Sequence, residues 1–140
     1  MAAAFGKFDS GAMEKRPTTK VFIVEDSAPV RSCIVDLVAR IEGASVVGEA
    51  ETPGDAVEGI LRTRPDCVVL DYQLRGGTGV DVLRAIHPGS PEIAFVVLSN
   101  HSSPQYRRAC SEAGARWFFD KSMEFGKIKG AIDACKPTSR

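Results

Sequence analysis

The sequence lacks the features of a membrane protein and of a protein that binds polyanions. No apolar stretch approaches the roughly 18 residues that a transmembrane helix needs, and the first residues show no signal-peptide pattern. The chain has 18 basic and 18 acidic residues, so its formal net charge is zero. That balance gives no electrostatic reason to expect direct binding to nucleic acid or to an anionic membrane. We therefore expect a cytoplasmic protein.

The chain also lacks paired cysteines. Four cysteines are present, at Cys33, Cys67, Cys110 and Cys135. They are widely separated and form no C-x-x-C pair, the spacing typical of zinc and redox sites. Each falls within a helix or strand pattern, which favours buried free thiols over disulfides or a zinc site.

Length and composition fit a single globular domain. The chain has 140 residues, enough for one core but too few for two ordinary domains. It contains no internal repeat and no low-complexity tract. Residues 1–18 show no sustained hydrophobic period, so we expect a flexible N-terminal extension there. One domain then follows over 19–137, and we expect no output domain after it.

Apolar strand patterns alternate with amphipathic helix patterns along this domain. Strands are predicted at 21–24, 45–50, 67–70, 94–98 and 116–119. Helices are predicted to begin near Ser27, Thr52, Gly79, Ser103 and Ser122, and the second has Ala56, Val57, Ile60 and Leu61 on its apolar face. Five βα units with short loops predict a doubly wound α/β fold, with a parallel sheet covered by helices on both faces.

Polar side chains follow four of the predicted strands. They are Glu25, Asp26, Asp71, Ser99 and Lys121. Each one alone could cap a helix or lie in solvent. Because the carboxyl ends of parallel strands meet at one edge of the sheet, however, we expect all five to converge on one crevice.

The chemistry of this set favours phosphoryl transfer. Three neighbouring carboxylates repel one another unless a cation joins them, and Mg²⁺ suits oxygen ligands of this kind. A hydroxyl and an ammonium group beside them offer a hydrogen bond and a positive charge to a phosphoryl group. Asp71, on the middle strand, is the best-placed nucleophile for an acyl phosphate.

Four segments carry a resemblance to a known family: VFIVEDSAPVR, VVLDYQLRGGTG, VVLSN and FFDKS. With these motifs at matching separations, residues 19–136 resemble the receiver domain of two-component response regulators, typified by the single-domain chemotaxis regulator. The resemblance implies a flavodoxin-like five-stranded sheet, with strand order 2-1-3-4-5 and five helices. It also implies a protein that catalyses only its own phosphorylation and dephosphorylation.

The resemblance implies a role for each acidic residue. Asp71 would accept the phosphoryl group, Asp26 would bind Mg²⁺ directly, and Glu25 would bind it through water. The backbone carbonyl of Gln73 would be a further ligand.

It also implies a conformational switch. Ser99 would hydrogen-bond the phosphoryl oxygen and move inward, Lys121 would pair with that oxygen, and Phe118 would rotate into the vacated space. Since Phe118 lacks the hydroxyl of the more usual tyrosine, the switch must rest on packing. Gly79 matches the family's glycine after the phosphoacceptor. The surface of helix 4, strand 5 and helix 5 would then change.

Several positions depart from the family pattern. Arg75 replaces a usual proline, which predicts a more mobile loop, and Asn100 replaces a smaller residue, which would restrict access to the phosphoryl group. Ser122 replaces the proline after the lysine, so the geometry of that peptide bond stays open. Gln73 and His101 occupy positions that tune the lifetime of the acyl phosphate.

The resemblance implies protein partners: a sensor histidine kinase or a histidine phosphotransfer protein upstream, and a partner protein downstream. Arg107 and Arg108 could belong to a partner face or to a phosphorylation-dependent dimer, although solvated arginines are the default.

Three other functions stay open. The first is a receiver-like interaction scaffold that works without phosphorylation. An Asp-nucleophile phosphohydrolase would need a second carboxylate where Gln73 stands. A dinucleotide-binding domain would need a glycine-rich loop where the chain reads EDSAP after the first strand.

Overall fold

The computed structural model of the chain describes residues 18–101 and 103–135. The predicted N-terminal extension, apart from its last residue, lies outside the described residues, and so do positions 136 and 137 of the predicted domain.

The chain folds into alternating strands and helices. The strands are β1 Thr19–Val24, β2 Ala44–Ala50, β3 Cys67–Asp71, β4 Gln73–Leu74, β5 Gly77–Thr78, β6 Ala94–Ser99 and β7 Trp117–Asp120. The helices are α1 Ala28–Ala39, α2 Pro53–Thr63, α3 Gly79–Ile86, α4 Pro104–Glu112 and α5 Ile128–Ala134, with a 3₁₀ turn at Phe125–Lys127. The five predicted strands correspond to β1, β2, β3, β6 and β7.

These five strands form one parallel sheet in the order β2-β1-β3-β6-β7. Numbered by the predicted strands, the order is 2-1-3-4-5, which confirms the flavodoxin-like prediction. The two remaining strands, β4 and β5, form a short antiparallel hairpin directly after β3. The sequence did not predict this hairpin, because two-residue strands show no hydrophobic period.

The sheet lies between two hydrophobic clusters. Alternate residues of each central strand face opposite sides: Val24 and Leu70 join the cluster under α2 and α3, whereas Ile23 and Val69 join the cluster under α1 and α5. All five residues of β3 are buried. Because the central strands are packed on both faces, the positions of their carboxyl ends are fixed by the core.

Polar side chains cap the first two helices, which begin where the sequence predicts. The Ser27 hydroxyl accepts the Val30 N–H at 3.4 Å, and the Thr52 hydroxyl accepts the Asp55 N–H at 3.2 Å. Each cap satisfies one backbone donor that the first helical turn leaves unpaired.

The predicted start of the last helix near Ser122 is wrong. The chain makes a turn at this point, and α5 begins only after the 3₁₀ turn. A carboxylate oxygen of Asp120 accepts the N–H groups of Ser122 and Met123 at 3.0 and 2.9 Å. The Asp120 side chain at the end of β7 therefore stabilises a turn, and no helix begins at Ser122.

Two burial predictions are also wrong. The side chain of Leu61 is 49% exposed, because the buried face of α2 runs through Ala56, Gly59 and Ile60. Cys33 is exposed on α1, whereas Cys67 and Cys110 are buried and Cys135 is partly buried. All four cysteines are free thiols, as predicted.

Across the described ranges, every helix is too short or too polar to cross a membrane.

Candidate functional site

Five of the predicted site residues line one open cavity of about 680 Å³ at the carboxyl edge of the sheet. They are Glu25, Asp26, Asp71, Gln73 and Lys121. β1 delivers the acidic pair, β3 ends in Asp71, β4 begins with Gln73, and the turn after β7 carries Lys121. The strand order places β1, β3, β6 and β7 side by side. Of the five side chains predicted to share one crevice, the three carboxylates and Lys121 come together, whereas Ser99 does not line the cavity.

Three carboxylates lie together in the cavity. Glu25, Asp26 and Asp71 each offer one oxygen, and these oxygens all lie within 4.8 Å of one another. Glu25 is 1% exposed and Asp71 is 6% exposed, so little water shields their charges. Carboxylate oxygens of this kind are ligands for a hard divalent cation, and the residues present therefore fit a metal ion such as Mg²⁺.

The Lys121 ammonium bridges two of these carboxylates. Its Nζ lies 2.9 Å from Glu25 Oε1 and 3.1 Å from Asp71 Oδ2. The other Glu25 oxygen accepts the Ser27 N–H at 3.0 Å, which orients that carboxylate. One ammonium does not neutralise three carboxylates, so the cluster keeps a net negative charge when its carboxyl groups are ionised. This negative charge attracts a cation.

The pKa of Asp71 is raised to about 7, mainly by burial and then by the charge of Glu25; Lys121 opposes the shift. Burial alone would lower the pKa of Lys121, but its hydrogen bond to Glu25 and the charge of Asp71 outweigh burial and raise that pKa. The ammonium is therefore charged at neutral pH, and Asp71 is only partly ionised unless another cation approaches it.

Ser99 ends β6 beside the cluster, but it does not line the cavity. Its buried hydroxyl donates to the His101 carbonyl and accepts from the His101 N–H, both at 2.9 Å. Its own carbonyl accepts the Lys121 N–H at 2.8 Å, which ties the lysine turn to β6. The Lys121–Ser122 peptide bond is trans.

Phe118 also lies away from the cavity. Its partly buried ring packs on the cluster formed by α2, α3 and α4 with the sheet. Asn100 is one of the residues that line the cavity.

Gly79 has a steric reason to be glycine. A Cβ at this position would lie 2.7 Å from the Asp71 carbonyl oxygen and 3.1 Å from the Leu70 side chain. The Gly79 N–H donates to the Tyr72 carbonyl at 2.6 Å, which draws α3 against the end of β3. A side chain here would push the helix away from the end of β3.

An ion-pair network beside the cavity was not predicted from the sequence. Arg31 contacts Glu49 at 3.1 Å and Glu51 at 3.2 Å, and Arg75 contacts Glu51 at 2.8 Å. Arg31 also donates to the Glu25 carbonyl at 2.8 Å. Arg75, expected to loosen its loop, thus ties the β4–β5 hairpin to the end of β2. No sequence spacing indicated these pairs, since the partners come from different elements.

Comparisons with known proteins place the chain in a family. Residues 21–133 match the response regulator receiver domain. The DNA-binding transcriptional activator DevR/DosR of Mycobacterium tuberculosis is 30% identical over 113 residues, which cover 81% of this chain and 52% of that protein. The signal receiver domain of the putative response regulator NarL from the same species is 26% identical with a TM-score of 0.79, covering 85% of this chain and 96% of that structure.

A third similar structure is the CheX-CheY-BeF3-Mg²⁺ complex from Borrelia burgdorferi, with 21% identity and a TM-score of 0.77 over 84% of this chain and 98% of that chain. At this identity the likeness shows the fold alone. The fold and the carboxylate cluster define a signalling domain of two-component systems. The chain belongs to the response regulator receiver domain family. It spans about half the length, 52%, of its mycobacterial relative.

Proposed function

We propose that this receiver accepts a phosphoryl group on Asp71, from a phosphohistidine of a sensor histidine kinase or a histidine phosphotransfer protein. The observation that supports it is the position of Asp71 at the end of β3, 3.1 Å from the Lys121 ammonium and clustered with Glu25 and Asp26. This set supplies a nucleophile, a fixed positive charge and oxygen ligands at one open cavity.

The transfer exchanges one bond to phosphorus for another. A carboxylate oxygen of Asp71 attacks the phosphorus, the P–N bond to the donor imidazole breaks, and its electron pair stays on the imidazole nitrogen. Lys121 neutralises charge on the phosphoryl oxygens, while Glu25 keeps the lysine oriented. Glu25, Asp26, Asp71 and the Gln73 carbonyl would hold Mg²⁺, which would supply further charge neutralisation.

The phosphoryl group then changes the contacts of Ser99. Its hydroxyl leaves the His101 backbone, where it now makes two hydrogen bonds, and turns towards the phosphoryl oxygen. Phe118 follows into the vacated space, and the surface of α4, β7 and α5 is remodelled. We propose that this surface binds a downstream protein or a second copy of the chain in the cytoplasm, with 19–137 as the receiver domain.

Intact-mass measurement after incubation with acetyl phosphate and Mg²⁺ tests the proposal. We expect a gain of one phosphoryl group that is labile to hydroxylamine, needs Mg²⁺ and is absent in Asp71→Asn. Asp36→Asn, which removes an exposed carboxylate from α1, is the matched control and should be modified normally.

An unmodified wild type that also fails to bind Mg²⁺ would contradict the proposal. The interaction scaffold that works without phosphorylation would then be the better explanation of the fold.

A further inference from the structure

Arg107 joins helix α4 to the strand that carries Phe118. Its guanidinium carbon lies 4.8 Å from the centroid of the Phe118 ring, and its Nη1 donates to the Phe118 carbonyl at 3.2 Å. One side chain thus contacts both the ring and the backbone of the same residue. The sequence favoured a solvated Arg107 over one in a partner or dimer face, since the spacing of Arg107 does not indicate these contacts.

Arg107 also forms an ion pair with Glu124, in the turn that follows β7. Arg107 Nη2 lies 3.7 Å from Glu124 Oε1, which also accepts the Asp120 N–H at 2.9 Å. The Asp120 backbone and the Lys127 ammonium lower the pKa of Glu124, so its charge persists at neutral pH. Arg107 is therefore held between α4 and the turn that follows β7.

We infer that Arg107 is a positioning residue that holds Phe118 in its present position and so opposes the switch. This inference rests on the proposed function, in which Phe118 rotates inward as Ser99 moves. The cation–π contact depends on where the Phe118 ring lies, so rotation of the ring gives it up, whereas the hydrogen bond to the Phe118 backbone carbonyl keeps Arg107 beside the strand. Phosphorylation must then break the contact between Arg107 and the Phe118 ring. A variant that lacks this contact has its conformational equilibrium shifted towards the switched state.

The structure supplies a matched control for this contact. Arg108 is the next residue of α4, is exposed, and takes no part in the described contacts of Phe118. Arg107→Gln and Arg108→Gln remove the same charge from the same helix. Arg107→Lys keeps the charge but loses the planar guanidinium, so an intermediate result is expected.

The experiment is a titration of the full chain with beryllofluoride and Mg²⁺, an acyl-phosphate mimic, followed by the fluorescence of Trp117. Arg107→Gln should bind beryllofluoride about 2–5 times more tightly than the wild type, because a larger fraction of the protein molecules is already in the switched conformation that binds the mimic. Arg108→Gln should bind as the wild type does. The carbon-13 resonances of the Phe118 ring, in Arg107→Gln without ligand, should move towards their positions in the saturated wild type.

Two outcomes separate this inference from the proposed function. If the wild type binds beryllofluoride but Arg107→Gln binds it no more tightly than Arg108→Gln does, the positioning role is overturned alone. If the wild type binds none, the proposed function fails and this inference fails with it. A purely structural role would lower the thermal stability of Arg107→Gln without tightening its binding of the mimic.

Discussion

At the scale of single residues, the buried Asp71 carboxylate makes the stability of the metal-free fold depend on pH. Its carboxylate is buried next to Glu25, and the pKa of Asp71 is raised from 3.8 to about 7. Between these pH values the metal-free folded protein binds a proton that the unfolded chain has released. Stability therefore falls as pH rises through this range, and it stays lowered above pH 7.

Asp71→Asn should relieve this cost. In metal-free protein we expect the free energy of unfolding to rise at about pH 8, by about 1–4 kcal/mol, and to change little at about pH 4. Lys121 keeps Glu25 as its partner in the variant. Urea denaturation in the presence of a chelator at both pH values measures the effect.

The control for this prediction is Asp36→Asn, which changes an exposed carboxylate on α1. It should alter stability little at either pH. An equal gain for Asp71→Asn at the two pH values would mean that the gain does not come from the raised pKa.

At the scale of elements, packing of α2 and β2 on the sheet depends on two glycines. The Phe22 ring lies between them: a Cβ on Gly48 would approach it to 2.4 Å, and a Cβ on Gly59 to 2.5 Å. Gly48 lies on β2 and Gly59 on α2, so the ring fills the space that two absent side chains leave. The close approach of both elements to β1 depends on this fit.

Gly59→Ala should destabilise the fold by about 1–3 kcal/mol, because the added methyl group overlaps the Phe22 ring. Gly54→Ala lies in the same helix with open space around its Cβ, and it should be neutral or slightly stabilising. Thermal or urea unfolding compares the two. Adding Phe22→Leu to Gly59→Ala should recover part of the loss, and a double variant that shows only the sum of the two single losses would argue against the overlap.

Particular elements show what the sequence could predict. The strands around Val69 and Val96 were predictable because uninterrupted apolar runs indicate strands buried on both faces. The convergence of Glu25, Asp71 and Lys121 followed from the chirality and adjacency rules of parallel sheets. The contacts of Arg31 and Arg107 were not predictable, since each long side chain reaches a partner from another element and the final packing alone decides which.

The sequence did not predict some short features of the structure, for a related reason. The β4–β5 hairpin and the turn whose N–H groups Asp120 accepts each involve only a few residues, so no periodic pattern indicates them. The direction of the Ser99 hydroxyl depends on the backbone of His101, which the sequence leaves undetermined. The sequence therefore predicted the carboxylate cluster but not the direction in which the Ser99 hydroxyl points.

At the scale of the whole molecule, the carboxylate cluster links cation binding to folding. Its ligands come from β1 and β3, which are far apart in sequence, so the site exists only in the folded chain. A cation that binds the folded state alone raises the free energy of unfolding, by about 1.4 kcal/mol when its concentration is roughly ten times the dissociation constant.

Mg²⁺ should therefore raise the melting temperature of the wild type in a concentration-dependent way, measurable by calorimetry. Asp26→Asn should lose most of this rise, because one of the three clustered carboxylates is gone. Asp36→Asn should keep it. An equal rise in all three proteins would indicate a general salt effect instead of a bound ion.

The distance in sequence between Glu25 and Lys121 also sets an order of events during synthesis. β1 and β3 leave the ribosome early, whereas β7, at the sheet edge, leaves late. Until that strand docks, Glu25 and Asp71 stand together without the ammonium that bridges them. A partial sheet without β7 would therefore lack the ammonium that bridges Glu25 and Asp71, and docking of this edge strand supplies it.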